Sequence, residues 1–455
     1  MLTNHYLCIS FTRLIMRFTN NQILKITFPV LVSLLMEYMI GLTDTAYLGR
    51  VGEVELGASA LAGVYYLVIY MQGFGFSLGS QVLMARRNGE GKYKEIGHVF
   101  TQGSLFLLLL ATVFFVASKL FSPHILRNII ESDDVYRATM DYMNWRIYGF
   151  FFSFIAVMFR AFYVGTTHTK ILTTNSVVMV LTNIILNYIL IFGKLGFPAL
   201  GIAGAAIASS IAEAVSVLFF IIYTWKKVDY KKYGIFQFTW VNLKMMRQIL
   251  SVSIWVMFQH GIAFAGWFIF FIAMEHQGER PLAITNMIRS ISSFLFMFVN
   301  AFSSTNSSLI SNLIGQNEKE EVLPLIKQMI KLCFAFVVPI SLLIAIFPSS
   351  VLHIYTDNPE LIKDSIPSLW VMLSSYILAV PGYIYFYSVS GTGNTKRALQ
   401  IDMLSISVYV SYIFYIAILV KANVALCWTT EHVYNIMLMT SILYLWKGNW
   451  RNKSI

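Results

Sequence analysis

Apolar residues run through this chain in long blocks separated by short polar segments. A block such as Leu105–Val116 holds no charge and no strict alternation. Crossing ~30 Å of hydrocarbon takes about 20 mostly apolar residues in a helix. Twelve blocks meet that length: 26–48, 56–84, 97–117, 139–163, 171–192, 199–224, 249–274, 282–311, 328–347, 365–390, 398–420 and 424–446. Lipid offers no partner to an exposed backbone amide, so the blocks predict helices. Barrel strands would be about 10 residues long with alternating polarity. The pattern predicts an all-α polytopic membrane protein with twelve transmembrane helices.

The chain also resembles itself at one fixed offset, 226 residues. Gln22-Ile23-Leu24 recurs as Gln248-Ile249-Leu250, Gly52-Glu53 as Gly278-Glu279, Phe76-Ser77 as Phe302-Ser303 and Gly89 as Gly315. The segment Gly165–Lys170 matches Gly391–Lys396 in the same register. Separate places sharing one offset mark a duplication. Each copy holds six predicted spans, an even number, so both halves enter the membrane in the same orientation. The repeat is therefore parallel, 6+6, about a central cleft. Transporters built this way bind substrate between halves and rock one against the other. The expected divisions are an N-terminal extension (1–20), a first six-helix half with the cation site (21–225), a cytoplasmic linker (226–246), a second half (247–447) and a tail (448–455).

Charge sharpens the picture. The 455 residues are 57% hydrophobic and 12% charged, against about 25% charged in a soluble domain. A soluble enzyme and a disordered chain are excluded. Lys and Arg fall 22 to 8 on alternate sides of the predicted spans, with Arg146, Arg160 and Arg289 inside them. The positive-inside rule then makes both termini cytoplasmic, in a cell (inner or plasma) membrane. The net charge of +11 is a topology signal and not a nucleic-acid footprint, because the basic residues lie between apolar blocks. Cys8, Cys333 and Cys427 are odd in number with no CxxC, so no disulfide framework or zinc site is encoded. No small-residue cleavage site follows the N-terminus, and Met16 is an alternative start.

Ionisable groups inside spans cost roughly 2.5–3.5 kcal/mol each at mid-membrane and mark function. Glu37 and Asp44 lie seven apart on nearly one face of span 1. Asn183 and Asn187 share a face of span 5, and Glu213 lies mid-way along span 6. Adding 226 leads to Ala263, Phe270, Tyr409, Ile413 and Met439, none of them a carboxylate or an amide. Polar groups required only by the six-helix fold would be needed in both copies. The first half is therefore expected to hold a cation site of Asp44, Glu37, Asn183 and Asn187, with Ser209 adding a hydroxyl. Such oxygens take a proton or sodium, the latter at Asp44, Asn183 and Asn187. Glu213, His260, Arg289 and Tyr70 are expected to line the substrate cavity, with an acidic or carbonyl partner for Arg289. Pro29 breaks the hydrogen-bond ladder of span 1 and is the expected hinge.

Several of these residues carry a family likeness. Pro29, Asp44-Thr45, Leu48-Gly49-Arg50-Val51-Gly52, Arg86-Arg87-Asn88-Gly89-Glu90-Gly91, Ile314-Gly315-Gln316 and Gly391-Thr392-Gly393-Asn394-Thr395, in that order, resemble the multidrug and toxic compound extrusion (MATE) transporters. Asn183 through Asn187, running into Ile191-Phe192-Gly193, is similar as well. The resemblance implies a six-plus-six antiporter exporting organic cations and drugs in exchange for sodium or protons. It also implies a coupling site in the first half at Asp44, Asn183 and Asn187. Asn187 stands where some members carry Asp. Ala263 and His260 stand near the place where another branch has a span 7 carboxylate, which argues against second-half coupling. The expected protein is a secondary active transporter and not an enzyme. It would have no cofactor beyond its coupling ion and no nucleic-acid partner, act on small organic cations, sit in the lipid bilayer and be monomeric. The alternatives are a lipid-linked precursor flippase, which wants a cationic cavity, and a major-facilitator-type transporter, which wants a Gly-x-x-x-Asp-Arg-like loop after span 2.

Overall fold

The computed structural model describes residues 18–237 and 240–452. The alternative start at Met16 and most of the expected extension lie outside the described residues, as does the end of the tail. All regular structure among the described residues is helical.

In the first half, α1 (Asn20–Leu48), α2 (Glu53–Gly89) and α3 (Tyr93–Ile129) are followed by α4 (Asp133–Arg146), α5 (Gly149–Gly165), α6 (Lys170–Phe192) and α7 (Gly201–Lys227). A short α8 (Tyr230–Tyr233) leads into the second half. There, α9 (Leu243–Glu275), α10 (Glu279–Gly315), α11 (Val322–Ile346), α12 (Pro348–Leu352), α13 (Pro359–Gly391) and α14 (Thr395–Ile413) precede the three pieces α15 (Val424–Cys427), α16 (Thr430–Met439) and α17 (Ser441–Lys447). Helix starts follow local chemistry. Thr19 and Gln22 form a reciprocal capping box on α1, and Asn242 accepts from the Met245 amide at the start of α9. The duplication holds at residue level, because α10 begins and ends 226 positions after α2.

Among the described residues, ten helices are individually long and apolar enough to span a membrane. The expected fourth span differs. It is two helices, α4 and α5, meeting at 52°, whereas its counterpart α13 is continuous. The expected last span is broken as well, into α15, α16 and α17. Thr440 at the second break turns its hydroxyl onto the Met437 carbonyl at 2.7 Å, a local bond that competes with the helix ladder.

The halves meet through α2 against α9, α10 against α1, and α2 against α10. Contact is tightest where α2 and α10 end. Asn88 Nδ2 donates to Asn312 Oδ1 at 2.7 Å, Ser311 Oγ to the Val82 carbonyl at 2.7 Å, and Arg86 Nη2 to the Thr392 carbonyl at 3.2 Å. Glycine is required here. A Cβ on Gly89 would strike the Asn312 backbone, and one on its repeat partner Gly315 would strike the Arg86 carbonyl. The cleft is closed at this end. Further along α2 lie two cavities, one lined by α2 residues Gly63, Tyr66, Leu67 and Tyr70 with other first-half residues, the other by Met71 and Phe74 with residues of the second half.

Candidate functional site

Asp44 on α1 receives two hydrogen bonds. Asn187 Nδ2 donates to its Oδ1 at 2.5 Å and Ser209 Oγ to its Oδ2 at 3.1 Å. Asn183 Nδ2 donates to Ser209 Oγ at 3.0 Å, and Asn187 Nδ2 also reaches Asn183 Oδ1 at 3.1 Å. Three helices thus converge on one carboxylate. The amides project together because Asn183 and Asn187 are one turn apart on α6, which packs against both α1 and α7. Both asparagines are fully buried, yet Asn187 Oδ1 has no partner among the described residues. Asp44 itself is half-buried and forms no ion pair among the described residues.

Glu37 does not join this cluster. Arg160 on α5 donates to its Oε1 at 3.0 Å, and Ser33 Oγ reaches the same oxygen at 3.3 Å. Glu213 is also neutralised. Arg146, the last residue of α4, grips it with Nη1 at 3.0 Å and Nη2 at 2.6 Å, while the Tyr66 hydroxyl donates at 3.0 Å to each carboxylate oxygen. The Arg146 guanidinium lies 3.6 Å from the centre of the Tyr66 ring. The bend between α4 and α5 serves this pair, since a Cβ on Gly149 would collide with both Arg146 Nη1 and Glu213 Oε2. Pro29 lies inside an uninterrupted α1, its carbonyl 3.4 Å from the Thr173 hydroxyl.

Glu37, Glu213, Arg146, Arg160, Tyr66 and Tyr70 line a cavity of about 370 Å³ in the first half. The residues expected to share one substrate cavity are thereby split. Glu213 and Tyr70 line this one, while His260 and Arg289 line a second cavity, again about 370 Å³, formed mainly by the other half. Arg289 has no acidic partner among the described residues. Its Nη2 donates to the side-chain oxygen of Asn286 at 3.3 Å, and its guanidinium lies 4.9 Å from the ring centre of Trp267 and 5.0 Å from that of Phe271.

The sequence reading missed two carboxylates. Asp402 on α14 and Glu431 on α16 both line the second cavity, so in-span acids are not confined to the first copy. Comparison from the first copy forward could not find them, because their first-copy positions hold Ser176 and Ala205. Reading the offset backwards would have. It also missed Arg146 and Arg160 as the partners of Glu213 and Glu37, although two in-span arginines against two in-span glutamates was a visible signal.

A duplicated bundle of membrane-crossing helices, closed at one end and holding a cavity in each half, defines a multi-pass membrane transporter. The sequence pattern of the MatE family matches residues 29–189 and again residues 256–416. The chain belongs to this family, whose members are transporters and not enzymes. It is 26% identical over 393 residues to a probable multidrug resistance protein NorM of Thermotoga maritima, covering 85% of this chain and 82% of that protein. A probable multidrug resistance protein NorM of Neisseria meningitidis is 23% identical over 422 residues, covering 89% and 92%. A MATE crystal structure in complex with MaL6 superposes with a TM-score of 0.87 at 17% identity, covering 95% of this chain and 97% of that one; at that identity the likeness is one of fold.

Proposed function

We propose that the protein exports organic cations and drugs from the cell in exchange for protons or sodium, by rocking of its two halves. The NorM relatives support the substrate class. One observation carries the coupling site: among the described residues, Asp44 alone of Glu37, Asp44 and Glu213 lacks an arginine partner. A membrane carboxylate left unpaired needs an exchangeable cation to offset its charge. The donors around it are oxygens. The Asp44 carboxylate, Ser209 Oγ and the unpartnered Asn187 Oδ1 suit a hard monovalent ion or a proton. Glu37 and Glu213 then hold the bundle together instead of binding the ion. Binding at Asp44 repacks α1 against α6 and α7, and Pro29, with no amide to donate, lets α1 bend. Ion and substrate each shift the inward–outward equilibrium by their differential affinity for the two states. The protein works as a monomer in the inner membrane with both termini cytoplasmic. A flippase would want a cationic cavity, whereas Arg146 and Arg160 are each engaged by a glutamate and Arg289 shares its cavity with the carboxylates Asp402 and Glu431.

The test is ethidium efflux from a pump-deficient host under separately imposed sodium and pH gradients. Asp44→Asn is expected to abolish the ion-dependent component. Undiminished ion-driven efflux in that variant would remove the assignment.

A further inference from the structure

The two cavities are equal in size but opposite in the state of their acids. In the first, both lining carboxylates are held by arginines at 2.6–3.0 Å. In the second, Asp402 and Glu431 form no ion pair among the described residues. Among the described residues Asp402 accepts only the Tyr434 hydroxyl, at 2.9 Å, and Glu431 only the Tyr409 hydroxyl, at 3.2 Å. Those two rings lie edge to face, 5.5 Å apart, and Tyr383 lies beside Tyr434 at 6.3 Å. The two carboxylates therefore flank one tyrosine cluster.

The rest of the wall is polar and aromatic. Gln259 and Trp428 line this cavity at 6% and 3% exposure, and neither Gln259 Oε1 nor Trp428 Nε1 has a hydrogen-bond partner among the described residues. Buried polar groups are normally satisfied, and this wall carries an acceptor and a donor that are not, on two residues lining the same cavity. Arg289 demonstrates what the aromatic wall tolerates, since its guanidinium lies 4.9 Å from the ring centre of the lining residue Trp267 and forms no ion pair among the described residues. A volume of about 370 Å³ is far larger than a bare ion needs and falls within the range of small organic ligands.

We infer that the second-half cavity is the binding site for the organic cation, a lipophilic monocation held over Trp267 and the tyrosine cluster with Asp402 and Glu431 as its counter-charges. Aromatic faces and desolvated carboxylates are the two features that recognise such a cation. The Arg289 charge in the same cavity disfavours a dication. Coupling ion and cargo then occupy different halves, and only movement of one half against the other connects them. This inference rests on the export reading above and adds where the cargo sits.

The test uses full-length protein in nanodiscs and tetraphenylphosphonium as the probe. Binding is measured directly for the wild type and for Asp402→Asn with Glu431→Gln, which is expected to weaken it roughly tenfold or more. Location is read separately by alkylation of Ser293→Cys, which lines the second cavity, and Ala156→Cys, which lines the first. Tetraphenylphosphonium is expected to protect Ser293→Cys and not Ala156→Cys. This readout does not depend on the charge variants folding. Protection of Ala156→Cys alone overturns the site and leaves the export reading standing. No tetraphenylphosphonium binding at all removes the export reading, and this site with it.

Discussion

Asn187 donates to Asp44 at 2.5 Å across 143 positions of chain, so one amide holds the acid that its neighbours leave unpaired. Changing that amide to a carboxylate tests the relationship. Two carboxylates at hydrogen-bonding distance cannot both stay ionised without a cation between them. Asn187→Asp is therefore expected to tighten sodium or proton binding about tenfold, a pKa-unit-sized effect. Efflux measured against sodium concentration and against pH would reveal it, and unchanged ion dependence would refute it.

Arg146 and Glu213 should behave as a pair. Their side chains are 11% and 15% exposed, and removing one partner of such a buried pair costs about 3–5 kcal/mol. Arg146→Ala is expected to lower the melting temperature in detergent. Arg146→Met combined with Glu213→Leu should recover much of that loss, because apolar residues can replace an ion pair. If the double variant melts below both singles, the pair is not the unit described.

Gly89→Ala should hold the halves apart at the closed end, since the added Cβ meets the Asn312 backbone. Spin labels at Lys92→Cys and Asn317→Cys, in a background free of other cysteines, should report a longer distance and slower transport. Unaltered distance distributions would show that the helices can slide past the methyl group.

At the end of α2, Arg87 in its last turn contacts Glu90 at 2.7 Å and Glu95 at 2.9 Å, and Lys92 contacts Glu90 at 2.9 Å. Partial burial pushes the Glu90 carboxyl up, but hydrogen bonds and charge from Lys92 and Arg87 outweigh it and hold it below its ordinary 4.5. A depressed value means stability present above that ordinary value and lost as pH falls through the folded one. Glu90→Gln is expected to cost about 0.2–1 kcal/mol at pH 7 and progressively less below pH 4.5. Melting curves at both pH values check it, and an equal deficit at each would contradict it.

Much of this protein was legible in its sequence. The spans could be read because hydrocarbon imposes a length and an apolarity on every crossing segment, a local property of consecutive residues. The duplication could be read because the insertion-free offset of 226 survives at the ends of α2 and α10. The pairing of Asn183 with Asn187 was visible too, because spacing along one helix fixes which side chains share a face; Asp44, on another helix, was linked to them only by the missing counterparts in the second copy and by the family resemblance.

Which of those charges are free to act was decided only by tertiary structure. Glu37 meets Arg160 across 123 positions and Glu213 meets Arg146 across 67; both depend on how α1, α4, α5 and α7 pack and on a bend that hydropathy does not register. Asp402 and Glu431 became members of one cavity only when α14 and α16 came together around shared tyrosines. Periodicity orders side chains around a single helix axis. Neutralising or exposing a charge takes two helices, and their approach is set by packing between segments far apart in the chain.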